Sequence, residues 1–378
     1  MNRLCYIQIF ILCLFLLSVN TCMETKVNAV KEGYAPDIEQ YEFLRFSGGQ
    51  ERMSPDRVVR ADNNWEILLA CLERKTKKEL KGMDIKFTES QLMLLRAMRF
   101  IDYDDEVIRT TMPILGVKEK QELISYLRRL AQDMEPVLKD DIHQLKEILT
   151  SQGYPDHVFS ILFSGVIDGV VWFPFRAQGL VKEFSLSEER PLFDGVYWAY
   201  CPKRDFRCGS NIAIGKETFV VVNWSDGPQK KIQKVFHWEN LYSMQEQMDQ
   251  HGQIVDEDLI SQLIPYGVVD EQGHMTVPVF EMKLDDPVFL ACQSMAEKIV
   301  GFINQNLDIE ALRTEYGFSD KEAAFVVVYH EWMWEFMEYL VEKGLIDKPL
   351  AFKQPELAEE KDIGKLLFVI RGSVSSLI

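Results

Sequence analysis

The sequence lacks the short motifs that identify a reaction. It has neither a GxxxxGK[ST] nor a GxGxxG phosphate-binding loop, and no GxSxG nucleophile motif. It also lacks Cys-x-x-Cys pairs and zinc-type Cys/His spacings, so we expect no metal site and no cofactor. His330-Glu331 resembles the start of a zinc-protease motif, but Trp334 stands where the second histidine is required. The sequence therefore assigns no catalytic residue.

Basic residues are scarce. There are 42 Lys and Arg against 59 Asp and Glu, a net charge of −17, which argues against a nucleic-acid partner because a phosphate-binding surface must be basic. The 378 residues are 47% hydrophobic, which excludes a disordered or collagen-like chain and predicts a globular protein of two or three domains.

Long apolar runs are also missing, except at the N-terminus. Arg3 precedes an apolar run from residue 4 to 19, and polar residues follow. This order predicts a secretory signal peptide over residues 1–21, since the run is short for a spanning helix. We therefore expect export, with membrane contact only through the signal or a lipid.

Cys22 directly follows the predicted signal. Val19-Asn20-Thr21-Cys22 resembles the bacterial lipobox in its aliphatic residue, but departs from it at Asn20 and Thr21. This resemblance implies a lipid anchor on Cys22 in a bacterial envelope or periplasm. Ordinary cleavage after Thr21 or Ala29 is the open alternative.

Cysteine number and spacing suggest one disulfide. With Cys22 lipidated and the signal removed, four cysteines remain, an even number for an oxidising compartment. Cys201 and Cys208 flank a charged hexapeptide, and we predict a local disulfide between them.

Pattern changes along the chain predict four further regions after the signal. These are a tether or irregular arm over 22–60, a helical domain over 61–155, a mainly antiparallel β region over 156–281, and a helical region with a closing strand over 282–378. The fold class is α+β, with helical units flanking a central antiparallel sheet.

Two helix starts carry the capping-box pattern, at Thr88 with Gln91 and at Ser319 with Glu322. Two separate helices are expected over 121–134 and 140–152. In the last long helix His330 lies on an apolar face, so we expect it to be buried in packing. Four glutamates at helical spacing in the same helix predict a solvated face: Glu331, Glu335, Glu338 and Glu342.

Residues 239–281 read as two helices followed by a β-hairpin. The second helix covers 256–263, the strands 266–269 and 275–280, and the turn 270–273. This order resembles the helix and wing of a winged-helix domain. The resemblance implies an interaction module whose helix-and-wing face binds protein.

The most distinctive feature is a repeated pattern of Asp-Gly-Val, one apolar residue and Trp. It occurs at Asp168 to Trp172 and at Asp194 to Trp198. Asp-Gly is turn chemistry in the first place, and the tryptophans then fill the core. Alternatively, both copies enter strands of one sheet, where each aspartate shares a face with its tryptophan and the two form a cleft for a polar ligand.

These patterns favour an exported, non-enzymatic binding protein whose partner is a small polar ligand or another protein. An extracytoplasmic hydrolase, acting on glycans through Asp168 and Asp194, is the first alternative. The winged-helix-like interaction module is the second.

Overall fold

A computed structural model describes residues 31, 33–104, 106–283 and 285–372. The predicted signal peptide and Cys22 lie outside these residues. The fold is mixed α and β, with 52% of residues in helices and 14% in strands. The strands form several small sheets, and a central sheet flanked by helices is not confirmed.

Helices dominate the described chain. The α-helices are Pro55–Arg60, Asn64–Ala70, Lys77–Gly82, Glu89–Ala97, Val117–Ser151, Val158–Ser160, Trp172–Ala177, Gln229–Val235, Trp238–His251, Glu257–Leu263, Pro287–Asn306, Ile309–Glu315, Lys321–Glu342, Leu350–Lys353 and Glu360–Gly364. A π-helix, Ile161–Val170, is called the π segment below. Short 3₁₀ turns occur at Ile38–Gln40, Pro155–His157 and Ile264–Tyr266.

The strands are short. They are β1 Glu42–Phe46, β2 Lys75–Thr76, β3 Ile101–Tyr103, β4 Val107–Thr110, β5 Ile114–Leu115, β6 Val196–Tyr200, β7 Cys208–Ile214, β8 Thr218–Ser225, β9 Val279–Glu281 and β10 Leu367–Arg371. Their orders in the three sheets are β1-β6-β5, β2-β4-β3 and β7-β8-β10-β9.

The chain divides into two compact units, each assembled from separate stretches of sequence. The first unit comprises the described residues up to Glu122, with Glu183–Lys203 and Glu310–Val327. The second unit comprises Leu123–Lys182, Arg204–Ile309 and the described residues from Val328 onward. The sequence regions predicted above are contiguous, whereas these units are not.

The first unit contains the two three-stranded sheets. β1 pairs antiparallel with β6, which places Leu44 opposite Trp198. The region 22–60, predicted to be a tether, instead supplies β1 and a helix whose Val58 and Val59 are buried in this unit's core. Glycines and prolines suggested an irregular arm, but the pairing of β1 with a strand far along the chain overrides that local signal.

Capping in the first unit agrees with the sequence at one helix and differs at another. Thr88 and Gln91 make the reciprocal bonds of a capping box. At the second start the amide of Ala323 donates to Asp320 Oδ1 at 2.8 Å, so Asp320 caps the helix instead of Ser319. Glu322 is buried and bonds the guanidinium of Arg190.

The second unit is built on the four-stranded sheet. β8 pairs antiparallel with both β7 and β10, and β9 joins β10 in parallel. The predicted strand core 219–222 and the closing strand are therefore confirmed, and they are neighbours. The region 156–281 contains more helix than predicted, because residues 155–177 and 229–235 are helical.

A single helix, Val117–Ser151, replaces the two that the sequence suggested, and it runs through Pro136. Proline removes one internal hydrogen bond and ordinarily breaks a helix. In the second unit, however, residues at helical spacing on both sides of Pro136 are fully buried, including Leu127, Met134, Leu138 and Leu145. Burial of this continuous apolar face holds the helix together across the proline.

The winged-helix-like segment is not confirmed. Its helix is present as Glu257–Leu263, capped by Asp256. The predicted hairpin is reduced to an isolated bridge between Val269 and Met275. The tight turn forms, since Asp270 Oδ1 accepts from the amides of Gln272 and His274.

Among the described residues, one helical run is long and apolar enough to cross a membrane, Pro155–Ala177. Its most apolar window is 72% buried inside the protein. A core helix of a soluble protein has the same properties, so length and composition alone are weak grounds for a span.

Candidate functional site

Asp168 lies in the π segment of the second unit, not at a strand entry as one interpretation of the sequence required. Trp172 follows four residues later, in the next helical turn. Its Nε1 donates to Asp168 Oδ1 at 3.2 Å, so the carboxylate and the indole do meet, but on a helix face. Gly169 permits this geometry, since a Cβ there would lie 2.3 Å from the carbonyl oxygen of Ser164.

Asp168 begins a string of polar side chains inside the second unit. Ser210 Oγ, on β7, donates to Asp168 Oδ2 at 2.7 Å and lies 2.6 Å from Ser164 Oγ. Ser164 in turn bonds Asn223 Oδ1 on β8, and Asn223 Nδ2 donates to the carbonyl of Leu366 at 3.1 Å. This polar string links the π segment to two strands of the sheet.

Burial raises the pKa of Asp168 to about 6, and the hydrogen bonds from Ser210 and Trp172 oppose that rise. A carboxyl group titrating near neutrality has the property expected of an acid–base residue. Both of its oxygens, however, already accept hydrogen bonds from internal donors. These contacts give Asp168 a positioning role between helix and sheet.

Asp194 occupies a different setting, in the first unit just before β6. It is fully buried, burial raises its pKa, and its Oδ2 accepts from the amide of Gln50 at 3.1 Å. Arg190 Nη1 donates to the Asp194 carbonyl at 2.7 Å. A Cβ on Gly195 would lie 2.1 Å from the Phe46 carbonyl oxygen, so glycine is required where the chain meets β1.

The two copies of the repeated pattern therefore belong to different units and have different local structures. The expectation that they are equivalent entries into one sheet is wrong. Trp172 is 4% exposed and Trp198 is 1% exposed, so both indoles fill the interior of their own units. The carboxylates, however, bond partners beyond their own Asp-Gly turns. Asp168 accepts from the side chains of Trp172 and Ser210, and Asp194 accepts from the amide of Gln50, 144 residues earlier.

His330 is buried, as its apolar neighbours predict. It is 7% exposed, and its ring centroid lies 5.4 Å from that of Trp172 and 6.1 Å from that of Trp334. Among the described residues no group of three or more His, Cys, Asp and Glu side chains is placed to hold a metal ion.

The predicted solvated glutamate face is wrong for two of its members. Glu331 is 0% exposed and Glu335 is 5% exposed, whereas Glu342 is exposed. Arg204 bonds both buried carboxylates: its Nε lies 3.3 Å from Glu331 Oε2, and its Nη1 donates to Glu335 Oε1 at 2.9 Å. We call this set of three residues the buried ion cluster.

The cysteines differ from expectation. Cys201 lies in the first unit and Cys208 in the second, and both are free, buried thiols. The predicted disulfide between them is therefore not formed in this structure. Burial raises the pKa of each thiol, which lowers the thiolate fraction on which cysteine reactivity depends.

An exposed aromatic pair was not identified from the sequence. Trp238 and Tyr242 lie one turn apart on helix Trp238–His251, with exposed fractions of 47% and 51%. Their rings stack with centroids 5.7 Å apart and an interplanar angle of 27°. Their i, i+4 spacing was visible in the sequence, but their exposure depends on which face the helix buries.

That face is set by packing in the second unit. Leu241, Met244 and Met248 are buried, so the opposite side of the helix points to solvent. The helix is tied to its neighbour Glu257–Leu263, because Asn240 Nδ2 donates to Gln262 Oε1 at 3.3 Å. We call the outward faces of Trp238 and Tyr242 the aromatic surface.

No protein-family model, no curated protein and no solved structure matches this chain. Its function is therefore inferred from its own geometry.

The raised pKa of Asp168 predicts a specific pH dependence of stability. Its ordinary value is near 3.9, so the folded state binds the proton more tightly, and the stabilisation is full below about pH 4 and lost as the pH rises to about 6. Relative to Asp168→Asn, the wild type should lose up to about 3 kcal/mol of unfolding free energy across that window. Urea denaturation at a series of pH values measures this. The exposed control Asp285→Asn should keep the wild-type pH profile. Asp168→Asn should not show the loss of unfolding free energy that the wild type shows across this pH window, and a wild-type profile in Asp168→Asn would contradict the prediction.

The buried ion cluster predicts a large difference between two nearby arginines. Arg204→Ala leaves two interior carboxylates without their nearest cation and should lower the free energy of unfolding by about 3–5 kcal/mol. Arg207→Ala is the control: its partner Asp226 is half exposed, so the cost should be below about 1 kcal/mol. Equal losses in denaturation experiments would show that the cluster contributes no more than a surface pair.

Proposed function

We propose that the protein is an exported binding protein without catalytic activity, which contacts another protein through the aromatic surface. The exposure of the stacked Trp238–Tyr242 pair carries this proposal. Tryptophan and tyrosine are the residues most enriched at the energetic centres of protein interfaces. Leaving both half exposed forgoes the free energy that burial would provide.

The other described tryptophans make this exposure unusual. Five are at most 7% exposed, and Trp224 is partly buried. Trp238 is thus the described tryptophan that this fold does not cover. Val255, between helices Trp238–His251 and Glu257–Leu263, and Ile264, directly after the second helix, are also exposed and add apolar surface area. Large exposed apolar residues rimmed by polar ones are typical of interaction sites.

This proposal keeps the location of the winged-helix-like alternative but not its hairpin. A hydrolase is the second candidate, and the raised pKa of Asp168 beside Ser210 favours it. Asp194, which that hypothesis paired with Asp168, instead holds backbone in the other unit. Turnover of a p-nitrophenyl glycoside that vanishes in Asp168→Asn would support the hydrolase.

Site-specific crosslinking tests the aromatic surface. With p-benzoylphenylalanine at position 242 in native cells, we expect one defined protein adduct, since the ring faces outward. Trp238→Ala should weaken this capture by about 30-fold, the effect of losing an interface hot spot, without changing the circular dichroism spectrum.

The matched control places the same photoreactive residue at Met93, a 64% exposed side chain on helix Glu89–Ala97. It should give no such adduct. Capture of the same protein from position 93, or undiminished capture in Trp238→Ala, would contradict the proposed surface.

Export follows from the basic residue and apolar run at the N-terminus, and it has its own test. The intact mass of the protein purified from its native source should correspond to a chain starting at or after residue 22. A diacylglycerol mass on Cys22 would distinguish the lipoprotein from a freely exported form. A native protein that retains Met1 would exclude both.

A further inference from the structure

A cavity of about 210 Å³ lies within the second unit, and its lining shares no residue with the polar string, the buried ion cluster or the aromatic surface. It is lined by Gly153, Tyr154, Pro155, Asp156, His157, Tyr266, Gly267, Thr276, Val277, Lys361, Gly364 and Lys365. Pockets for drug-sized ligands usually measure about 300–1,000 Å³, so this one fits only a small molecule.

His157 is the unusual group in this lining. It is 6% exposed, and neither ring nitrogen has a hydrogen-bond partner among the described protein groups. A neutral imidazole needs one acceptor and one donor, and a buried polar atom left without either costs free energy. Burial lowers the pKa of His157 to about 4; the neighbouring carboxylate of Asp156 opposes this shift and Lys365 adds to it, so the ring is neutral at physiological pH.

Two lysines supply positive charge to the same lining. Lys365 Nζ lies 2.9 Å from Asp156 Oδ2 and 3.3 Å from Asp362 Oδ1, so its charge is already shared. Lys361 is exposed, and no ion pair is formed by its ammonium group within the part of the chain that the structure describes. It is a free cation at a cavity in a protein whose net charge is −17.

The cavity walls come from distant parts of the chain that meet closely. A Cβ on Gly364 would lie 1.8 Å from the Tyr266 carbonyl oxygen, so a larger residue there would force the two walls apart. Thr276 Oγ1 donates to the Gly267 carbonyl at 2.9 Å and fixes a third segment. Such fixed walls hold the polar groups in place before a ligand arrives.

We propose that this cavity binds a small oxyanion, which accepts hydrogen bonds from the imidazole N–H of His157 and the ammonium of Lys361. An oxyanion supplies the acceptor that the buried ring lacks and the negative charge that the free lysine attracts. The site goes beyond the proposed protein-binding function and does not involve the aromatic surface.

Inorganic phosphate is the probe for this site, with acetate as the carboxylate arm and glycerol as the neutral arm. In isothermal titration calorimetry the full chain should bind phosphate saturably and glycerol not at all. Lys361→Gln, at an exposed position that folding tolerates, should weaken phosphate binding about tenfold or more. Lys230→Gln, an exposed lysine of the same unit outside the lining, should leave it unchanged.

Histidine-selective ¹⁵N NMR on the wild type provides a readout that needs no variant. Phosphate should shift the His157 ring resonances and leave those of His251, exposed on another helix, in place. Binding of acetate as well as phosphate would widen the ligand class to carboxylates. Absence of saturable anion binding, equal weakening by Lys230→Gln, or an unmoved His157 resonance would each overturn the proposal.

Discussion

The interior of the second unit depends on Arg204, because two glutamates of helix Lys321–Glu342 are buried beside it. A carboxylate without a counter-charge in an apolar interior costs several kcal/mol, and Arg204 bonds both Glu331 and Glu335. The same helix also holds the chain just after Arg204, since Trp334 Nε1 donates to the Cys208 carbonyl at 2.8 Å. The buried ion cluster and this bond together set where β7 begins.

The start of β7 determines whether the polar string can form. Ser210 is two residues beyond Cys208, and it must reach both Asp168 and Ser164 on the π segment. Interior hydrogen bonds add only about 1 kcal/mol each, but a buried group that misses its partner loses more. A shift of β7 by one residue would turn Ser210 to the other face of the sheet and leave Asp168 short of a donor. The ion pairs of Arg204, just before β7, thus help to fix the register that brings Ser210 to Asp168.

The sequence correctly predicted the elements that depend on interactions between residues close together in the chain. The β-branched run at 219–222 and the Thr88–Gln91 capping box form as expected, because strand preference and end capping act over a few residues. The segment from Ile167 to Trp172 also favours a strand locally, yet it is helical in the structure, where Trp172 bonds Asp168 one turn earlier. Arg204 and Glu331 are 127 residues apart, and no spacing rule links such a pair. The exposure of Trp238 likewise depends on which face of its helix packs against the rest of the second unit.

The same physics separates groups that build the protein from groups that remain available to other molecules. Asp168 is half-buried and Glu335 is buried, and the carboxylate of each bonds a donor or cation of its own unit. Their unusual environments therefore follow from the fold and need no ligand to explain them. Trp238 and His157 differ, since one leaves apolar area uncovered and the other leaves ring nitrogens without a protein partner. A partner that covers the exposed indole, or a ligand that bonds the imidazole, would gain the free energy that the fold itself does not use. Groups left without partners therefore indicate function more directly than buried charges that are already paired.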